Sequence, residues 1–237
     1  MIQVRRADDR GVADLSWLLS RHTFSFGNYY DPRFMGFGLL RVINEDRVQP
    51  GKGFQTHGHK DMEIISYVID GELEHQDTIG NGSIIHPGEL QRMSAGSGVR
   101  HSEFNPSDSD PVHFLQIWIL PERSGIDPSY EQKTFPVHER RDSLRLIGSP
   151  EGRDGSLTIH QDVNLYACVM AANSKVTYNV DTDRNAWVQI VSGNVTVNDL
   201  TLRAGDGLAV EYGGDLTFSG AENSEFLLFD LLEGTSP

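Results

Sequence analysis

The sequence has a single cysteine and few positive charges, and each shortage excludes a class of protein. Because Cys168 has no partner, the chain cannot form an intramolecular disulfide, which is typical of a reducing compartment. Cys168 lies in an apolar run, so we expect a buried structural thiol rather than a nucleophile. Lys and Arg number 20 against 34 Asp and Glu, a formal net charge of −14. This balance argues against direct binding to nucleic acid or to an anionic membrane.

Long apolar runs are also missing. No segment approaches the ~20 apolar residues of a transmembrane helix, so no membrane association is expected. Residues 1–6 carry charge without an apolar stretch, which predicts that no signal peptide is present. Together with the lone cysteine, these features predict a cytoplasmic protein. The sequence does not decide between monomer and dimer, and we take the monomer as the default expectation.

Helical periodicity is weak throughout, and short apolar runs take its place. From Leu39 onward they recur about every 8–12 residues, a spacing typical of antiparallel strands in a sandwich or barrel. Glycine accounts for 24 of the 237 residues, which favours many tight turns. The sequence therefore predicts an all-β fold, with only a weak helical or turn segment over residues 13–19. The predicted strand-forming runs are residues 39–43, 63–69, 82–85, 113–120 and 143–147.

The second half of the chain partly repeats the first. A strand, a turn glycine and a second strand surround Gly71, and the same pattern surrounds Gly193. A further turn follows each copy, at Pro87-Gly88 and at Ala204-Gly205. The polar segment 121–136 contains three prolines and is expected to be an extended connector between the halves. The repeat predicts two tandem β-barrels.

Residues that commonly bind metals occur in two pairs of identical spacing. His57 and His59 form one pair, and His101 and Glu103 form the other. In an extended strand, residues two apart point to the same face. Two such strands would therefore bring three imidazoles and one carboxylate to one point, a donor set that suits Fe, Mn, Co, Ni, Cu or Zn. The second half has no corresponding His-x-His, so one metal site is predicted.

The surroundings of these pairs resemble the two motifs of the cupin family, whose fold is a small antiparallel jelly roll. Ile64 stands where the first motif usually has its glutamate, and Glu63 comes one residue early. A one-residue step turns a strand side chain to the opposite face. Glu63 is therefore expected outside the ligand set, as a surface charge or as a hydrogen-bond partner behind the site. The matching positions are Gly51, His57, His59, Gly71, Gly98, His101 and Asn105.

More narrowly, the chain resembles the pirin family and, within it, the bacterial pirin-like quercetin 2,3-dioxygenases. The segments that carry the resemblance are Arg21-His-Thr-Phe-Ser-Phe26, Tyr29-Tyr-Asp-Pro32, His57-x-His59, Met93-Ser-Ala-Gly-x-Gly98 and His101-x-Glu103. The resemblance implies a bicupin fold, with a metal-binding pirin-type cupin over residues 1–134 and a degenerate, metal-free C-terminal cupin over residues 135–237. It also implies one divalent transition metal, expected as Fe(II). The ligands that it carries over are His57, His59, His101 and Glu103.

The activity implied by the resemblance is that of a dioxygenase, an oxidoreductase that cleaves a flavonol such as quercetin with O2 to a depside and carbon monoxide. Glu103 is the expected general base for the flavonol hydroxyl. The alternative is a non-catalytic pirin-like regulator that contains a redox-responsive metal and binds a protein partner. A third interpretation, a purely structural metal, is less consistent with these ligands because structural zinc sites favour cysteine.

Several other side chains have two interpretations each. An aromatic-rich stretch could line a substrate pocket or pack in the core. His75 and His86 are expected at strand ends, with His75 near the pocket mouth as an alternative. His22 could orient a ligand from behind the site or fix the N-terminal strand, and His113 is expected to be structural. The aromatic-rich stretch comprises Phe24, Phe26, Tyr29, Tyr30, Phe34, Met35 and Phe37.

Overall fold

The computed structural model of the chain describes residues 1–220 and 222–232, and most of its elements are β-strands. The first half contains Ile2–Arg5 (β1), Gly11–Asp14 (β2), Leu18–His22 (β3), Leu40–Val48 (β4), Gly53–His59 (β5), Glu63–Asp70 (β6), Leu73–Asp77 (β7), Gly82–Ile85 (β8), Glu89–Ser94 (β9), Val99–Phe104 (β10), Val112–Ile119 (β11) and Ser129–Thr134 (β12). The second half contains Arg145–Ser149 (β13), Leu157–Thr158 (β14), Val163–Met170 (β15), Lys175–Val180 (β16), Arg184–Ser192 (β17), Asn194–Val197 (β18), Leu200–Arg203 (β19), Gly207–Val210 (β20), Gly214–Gly220 (β21) and Ser224–Leu232 (β22).

Helical structure is limited to three short pieces in the described residues. They are the 3-10 turns Ala7–Asp9 and Arg153–Gly155 and the α-helix Val137–Arg140 (α1). None of these has the length or the apolar character that crossing a bilayer would require. The expected all-β class is confirmed.

Two barrels follow one another along the chain, each made of a large and a small sheet. In the first barrel the strand orders are β12-β9-β6-β11-β4-β3-β2 and β5-β10-β7-β8. In the second barrel they are β1-β20-β17-β22-β15-β13-β14 and β16-β21-β18-β19. Both barrels thus have a seven-stranded and a four-stranded sheet, and the predicted tandem barrels are confirmed.

The ends of the first half pair in different barrels. β1 joins the second barrel, where it pairs with β20 from Ile2↔Val210 to Arg5↔Gly207. The segment 121–136 was expected to be an extended connector, but residues 122–125 form bends and a turn, and residues 129–134 form β12 and pair with β9. A domain boundary between residues 134 and 135 remains our proposal. The C-terminal domain proposed on that boundary includes residue 221 and residues 233–237, which lie outside the described residues.

The weak helical or turn segment expected over residues 13–19 is a tight turn between two strands. β2 and β3 pair from Gly11↔His22 to Asp14↔Leu19, and backbone hydrogen bonds close the turn between Leu15 and Leu18. Pairing of β3 with the long strand β4 places this hairpin in the large sheet. Tertiary pairing therefore decides the conformation of a segment whose local signal was weak.

Apolar side chains join the barrels and fill the second one. One cluster contains residues of both barrels, including Ile65 and Trp187. A separate cluster fills the interior of the second barrel and includes Phe218 and Phe226. Cys168 belongs to this second cluster and is fully buried, and burial raises the pKa of its thiol to about 12. The expected structural thiol is confirmed.

Candidate metal centre

The two predicted pairs of donor residues lie on neighbouring strands. β5 carries His57 and His59, and it pairs antiparallel with β10, where His101 faces His57 across the ladder. The register shifts between His101 and Glu103. Such a bulge bends a strand and re-aims its side chains, and bulges are frequent beside active sites. The local pairing therefore directs the side chains of both strands to one region.

The three imidazoles form a compact cluster. Their ring centroids are 4.7 Å apart for His57 and His59, 4.5 Å apart for His57 and His101, and 4.9 Å apart for His59 and His101. One ring nitrogen of each lies within 4.8 Å of one nitrogen of the other two. Nitrogens this close can bind a single ion with only small side-chain adjustments, since Zn–N bonds, for example, are ~2.0–2.1 Å.

Glu103 enters the site through a second, overlapping cluster. One of its carboxylate oxygens lies within 4.8 Å of ring nitrogens of His101 and His75. Glu103 is buried, and Ser66 donates a hydrogen bond to its Oε1 at 3.0 Å. Gln116 Nε2 donates to Oε1 at 3.1 Å and to Oε2 at 2.9 Å. Two neutral donors therefore fix the carboxylate inside the barrel.

Burial keeps two of the imidazoles uncharged at neutral pH. Burial and the nearby rings of His101 and His57 lower the pKa of His59 to about 4. Burial and the rings of His57 and His75 lower the pKa of His101 to about 3. The neutral imidazole is the form that binds metal ions, so protons do not compete for these two rings near pH 7.

Ring nitrogens without partners show that the cluster fits a metal ion. Nε2 of His59 and both ring nitrogens of His101 are buried and make no hydrogen bond within residues 1–220 and 222–232. His57 donates from Nδ1 to the carbonyl of Gln55 at 2.7 Å, which leaves its Nε2 with a lone pair for a metal. Buried polar atoms normally have partners, and a divalent cation would provide one. The donor set suits a divalent transition metal.

His75 was expected at a strand end or near the pocket mouth and not among the donors, but it belongs to the second donor cluster. It lies on β7, which pairs with β10, and it is fully buried rather than at an exposed strand end. Its ring centroid is 5.3 Å from that of His101, and its Nε2 lies 3.1 Å from the carboxylate of Asp77. Alternation along β7 could have indicated an inward side chain. That His101 is its neighbour, however, follows only from the pairing of β7 with β10.

Glu63 lies outside both donor clusters, as the one-residue step predicted. It is fully buried, so the surface-charge interpretation is wrong. Its Oε2 accepts a hydrogen bond from the backbone N of His160 at 3.1 Å and lies 3.2 Å from Nδ1 of that ring. Glu63 therefore links the first barrel to a segment of the second half, and its partner is not one of the candidate ligands.

A cavity of about 430 Å³ opens beside the imidazoles and Glu103. This volume is in the range of small-molecule sites. The aromatic-rich stretch divides between the two expected roles, except for Tyr30, which is exposed. Phe26 and Tyr29 line the cavity, whereas Phe24 and Phe37 pack in the cluster shared by the barrels. The other apolar lining residues are Val12, Ala13, Leu18, Phe54, Ile64 and Trp118.

Comparison with known proteins places the chain in a family. The Pirin family model matches residues 3–119, and the model of the Quercetinase C-terminal cupin domain matches residues 146–231. Quercetin 2,3-dioxygenase of Escherichia coli (strain K12) is 48% identical over 231 residues, which cover 98% of this chain and 99% of that protein. The chain belongs to the pirin family.

Other pirins agree in sequence and in fold. A pirin-like protein of Caulobacter vibrioides is 38% identical over 231 residues, covering 97% of this pirin and 99% of that protein. The crystal structure of the bacterial pirin YhhW from Escherichia coli in complex with nickel(II) superimposes with a TM-score of 0.93 at 48% identity. That comparison covers 98% of this chain and 99% of the other. Nickel in such a relative, together with the donor cluster described above, supports a divalent-metal site in this pirin.

Proposed function

We propose that this pirin is a metal-dependent dioxygenase that cleaves flavonols such as quercetin with O2, giving a depside and carbon monoxide. The observation that carries the proposal is the cavity, because its lining contains three imidazoles, one carboxylate and several aromatic side chains. A metal with a purely structural role needs no such opening. The name of the Escherichia coli relative, quercetin 2,3-dioxygenase, supports the same reaction.

The proposed metal ligands are His57, His59, His101 and Glu103, and the proposed ion is Fe(II). Three neutral imidazoles and one carboxylate leave a net charge of +1 on a divalent site. When bound, the divalent ion lowers the pKa of a coordinated hydroxyl group and gives the substrate and O2 a common place to react. The unpaired nitrogens of His59 and His101 support this assignment.

Glu103 is the proposed catalytic residue, and it acts as the general base. Its carboxylate accepts the proton of the flavonol 3-hydroxyl, which makes the heterocyclic ring electron-rich. Ser66 and Gln116 donate hydrogen bonds to this carboxylate and hold it in the cavity wall. Phe26 and Trp118 lie in the same wall, where they exclude water from the flat faces of an aromatic substrate.

The overall reaction balances without a further reductant. Both atoms of O2 enter the depside, and two carbon–carbon bonds of the heterocyclic ring break. The carbon between those bonds leaves as carbon monoxide. The flavonol itself supplies the electrons, so no other electron donor is required.

The test is oxygen-dependent consumption of quercetin by protein loaded with Fe(II). Under nitrogen, quercetin is expected to bind only the metallated protein, with a change in its visible absorbance. Admission of O2 should then remove that absorbance and release carbon monoxide. Glu103→Gln should slow turnover about 10²–10⁴-fold, the usual contribution of a general base.

The matched control is Glu63→Gln, which alters a buried glutamate of the same barrel outside both donor clusters. This variant should retain turnover if it retains its fold by circular dichroism. Intact quercetin after exposure of the fully metallated protein to O2 would contradict the proposal.

A further inference from the structure

Five polar side chains form a continuous patch in the lining of the cavity. We call this patch the polar wall, and its members are Ser20, His22, Asn44, Asp46 and Gln116. In the ladders, Ser20 faces Asp46 and His22 faces Asn44, which in turn faces Gln116. Because residues two apart on a strand share a face, the pairing of β3, β4 and β11 gathers all five on one surface.

The polar wall is buried, and some of its polar atoms have no hydrogen-bond partner among the described residues. Its members are between 2% exposed, at Ser20, and 8% exposed, at Gln116. Asn44 Oδ1, Asp46 Oδ1 and Gln116 Oε1 are buried and accept no hydrogen bond from the described residues. Leaving buried acceptors unpaired lowers the stability of a fold, and each such group needs an explanation.

The barrel architecture does not require polar residues at this place. The second barrel has strands β15 and β22 at the positions that β4 and β11 hold in the first. There, Cys168, Phe226 and Leu228 belong to the apolar cluster that fills the interior. Apolar side chains can therefore occupy this part of a barrel, and the polar wall serves something other than packing.

The chemistry of the polar wall indicates what it binds. The unpaired amide oxygens of Asn44 and Gln116 can only accept hydrogen bonds, so a group bound there must donate them. The same cavity has Phe26, Phe54 and Trp118 in its lining, which suit the faces of a flat ring. A hydroxyl group on an aromatic ring provides both the donor and the flat apolar body.

We propose that the polar wall binds ring hydroxyl groups of the substrate other than the 3-hydroxyl and thereby makes the enzyme selective for polyhydroxylated flavonols. The inference rests on the proposed function, since it assigns the specificity-determining part of the same cavity. Asn44 and Asp46 are its central residues. Gln116 also positions Glu103, so it is unsuitable for a test of specificity alone.

The experiment compares two flavonols on protein loaded with Zn²⁺ under nitrogen, so that neither ligand is consumed. Quercetin has four hydroxyl groups besides the 3-hydroxyl, whereas 3-hydroxyflavone has none. Dissociation constants come from quenching of tryptophan fluorescence, since Trp118 lines the cavity. Quercetin should bind at least about tenfold more tightly, the size expected from one or two net hydrogen bonds.

Asn44→Leu and Asp46→Leu should remove this preference. In each variant the affinity for quercetin should fall about five- to tenfold, while that for 3-hydroxyflavone stays within about twofold. Asp46→Asn retains an acceptor and should retain the preference. The unfolding temperature of the leucine variants should be unchanged or higher, because a buried unpaired acceptor has been removed. A polar residue with a structural role would instead leave the variant less stable.

The outcomes separate failure of the polar wall from failure of the flavonol reaction. If both flavonols bind and their affinity ratio is the same in wild type and leucine variants, the proposed role of the polar wall is wrong. The proposed function is then unaffected. If neither flavonol binds, metal-free protein is titrated with resorcinol and with m-xylene, followed by NMR. Resorcinol-specific shifts that Asn44→Leu abolishes would support hydroxyl binding. Equal shifts for both probes, or none, would overturn it.

Discussion

The two barrels of this pirin share a strand order but differ in what their interiors contain. The small sheet of the first barrel, through β5 and β10, carries His57, His59 and His101 to one point. In the second barrel the corresponding strands are β16 and β21, and there Val176 and Phe218 lie in an apolar cluster. The two barrels thus have the same architecture, and the inward-facing side chains determine whether the interior contains a donor cluster or an apolar core.

The difference also appears in how well the buried polar groups are satisfied. Fourteen buried side-chain N or O atoms have no hydrogen-bond partner within the described residues. Thirteen belong to residues 10–118, and one, Ser224 Oγ, belongs to the second barrel. Such atoms lower stability, and eight of the thirteen belong to side chains that line the cavity, so most of this cost falls at the candidate site.

The largest expected effect comes from giving the first barrel an interior like that of the second. His101→Leu should abolish metal binding, because it removes the imidazole that belongs to both donor clusters. The stability of the metal-free protein should stay the same or rise, since two unpaired buried nitrogens disappear. Elemental analysis and denaturant unfolding measure the two quantities separately.

The matched control is His113→Gln. His113 is a buried histidine of the first barrel outside the donor clusters, and its Nε2 lies 2.9 Å from Glu45 Oε1. This variant should bind metal normally. Full metal occupancy in His101→Leu would contradict the proposed ligand set.

The reciprocal change in the second barrel should affect stability alone. Phe218 is fully buried and stacks on Phe226, with ring centroids 4.3 Å apart. Phe218→Ala should lower the free energy of unfolding by about 3–5 kcal/mol, the usual cost of such a cavity. Phe218→Leu should lower the free energy of unfolding by a smaller amount, because leucine fills more of the cavity than alanine does. Metal content per folded molecule should stay at the wild-type value in both variants, and a loss of metal without unfolding would show that the barrels are functionally coupled.

The shared face of the candidate donors was predictable because strand periodicity needs no knowledge of the partner strand. His57 and His59 share a face wherever β5 lies, and the same rule correctly placed Glu63 outside the cluster. The family resemblance then indicated that β5 and β10 are neighbours. Local pattern and motif spacing together were sufficient for the cluster of three imidazoles, whereas Glu103 lies in the second cluster, with His75.

The polar wall and His75 were not predictable in this way. Asn44 and Asp46 stand beside Glu45 and Arg47, and this run of polar residues resembles an exposed strand. Their burial follows from the pairing of β4 with β3 and β11, which brings residues distant in sequence together. The crossing of β1 into the second barrel is likewise a long-range pairing that no local pattern shows.

The stability of the protein should depend on pH through Asp46, a buried carboxyl group in the interior of the first barrel. Burial, with smaller contributions from Glu103 and Glu45, raises the pKa of Asp46 from 3.8 to about 7, and a hydrogen bond with Ser20 opposes the rise. Between about pH 4 and 7 the unfolded chain has released this proton while the native chain retains it, so stability falls as pH rises and then levels off.

Asp46→Asn removes this loss. The difference in the free energy of unfolding between the variant and wild type, both metal-free, should grow by a few kcal/mol from pH 4 to pH 7, since each pKa unit is worth about 1.4 kcal/mol. Urea unfolding at a series of pH values measures it. A difference that does not change with pH would show that Asp46 ionises normally in the native protein.

The smallest expected effect concerns the contact between the barrels. Tyr67 of β6 is buried, and its hydroxyl donates a hydrogen bond to Glu225 of β22 and accepts one from Arg140 of α1. Arg140 also pairs with Glu225, so the three side chains bridge the two halves. Tyr67→Phe should lower the free energy of unfolding by about 1–2 kcal/mol, because it leaves a charged pair with one fewer buried partner.

If the bridge couples the barrels, the Tyr67→Phe variant should also unfold in two steps, with the metal lost in the step that unfolds the first barrel. A single transition with unchanged midpoint would mean that the apolar interface alone holds the barrels together.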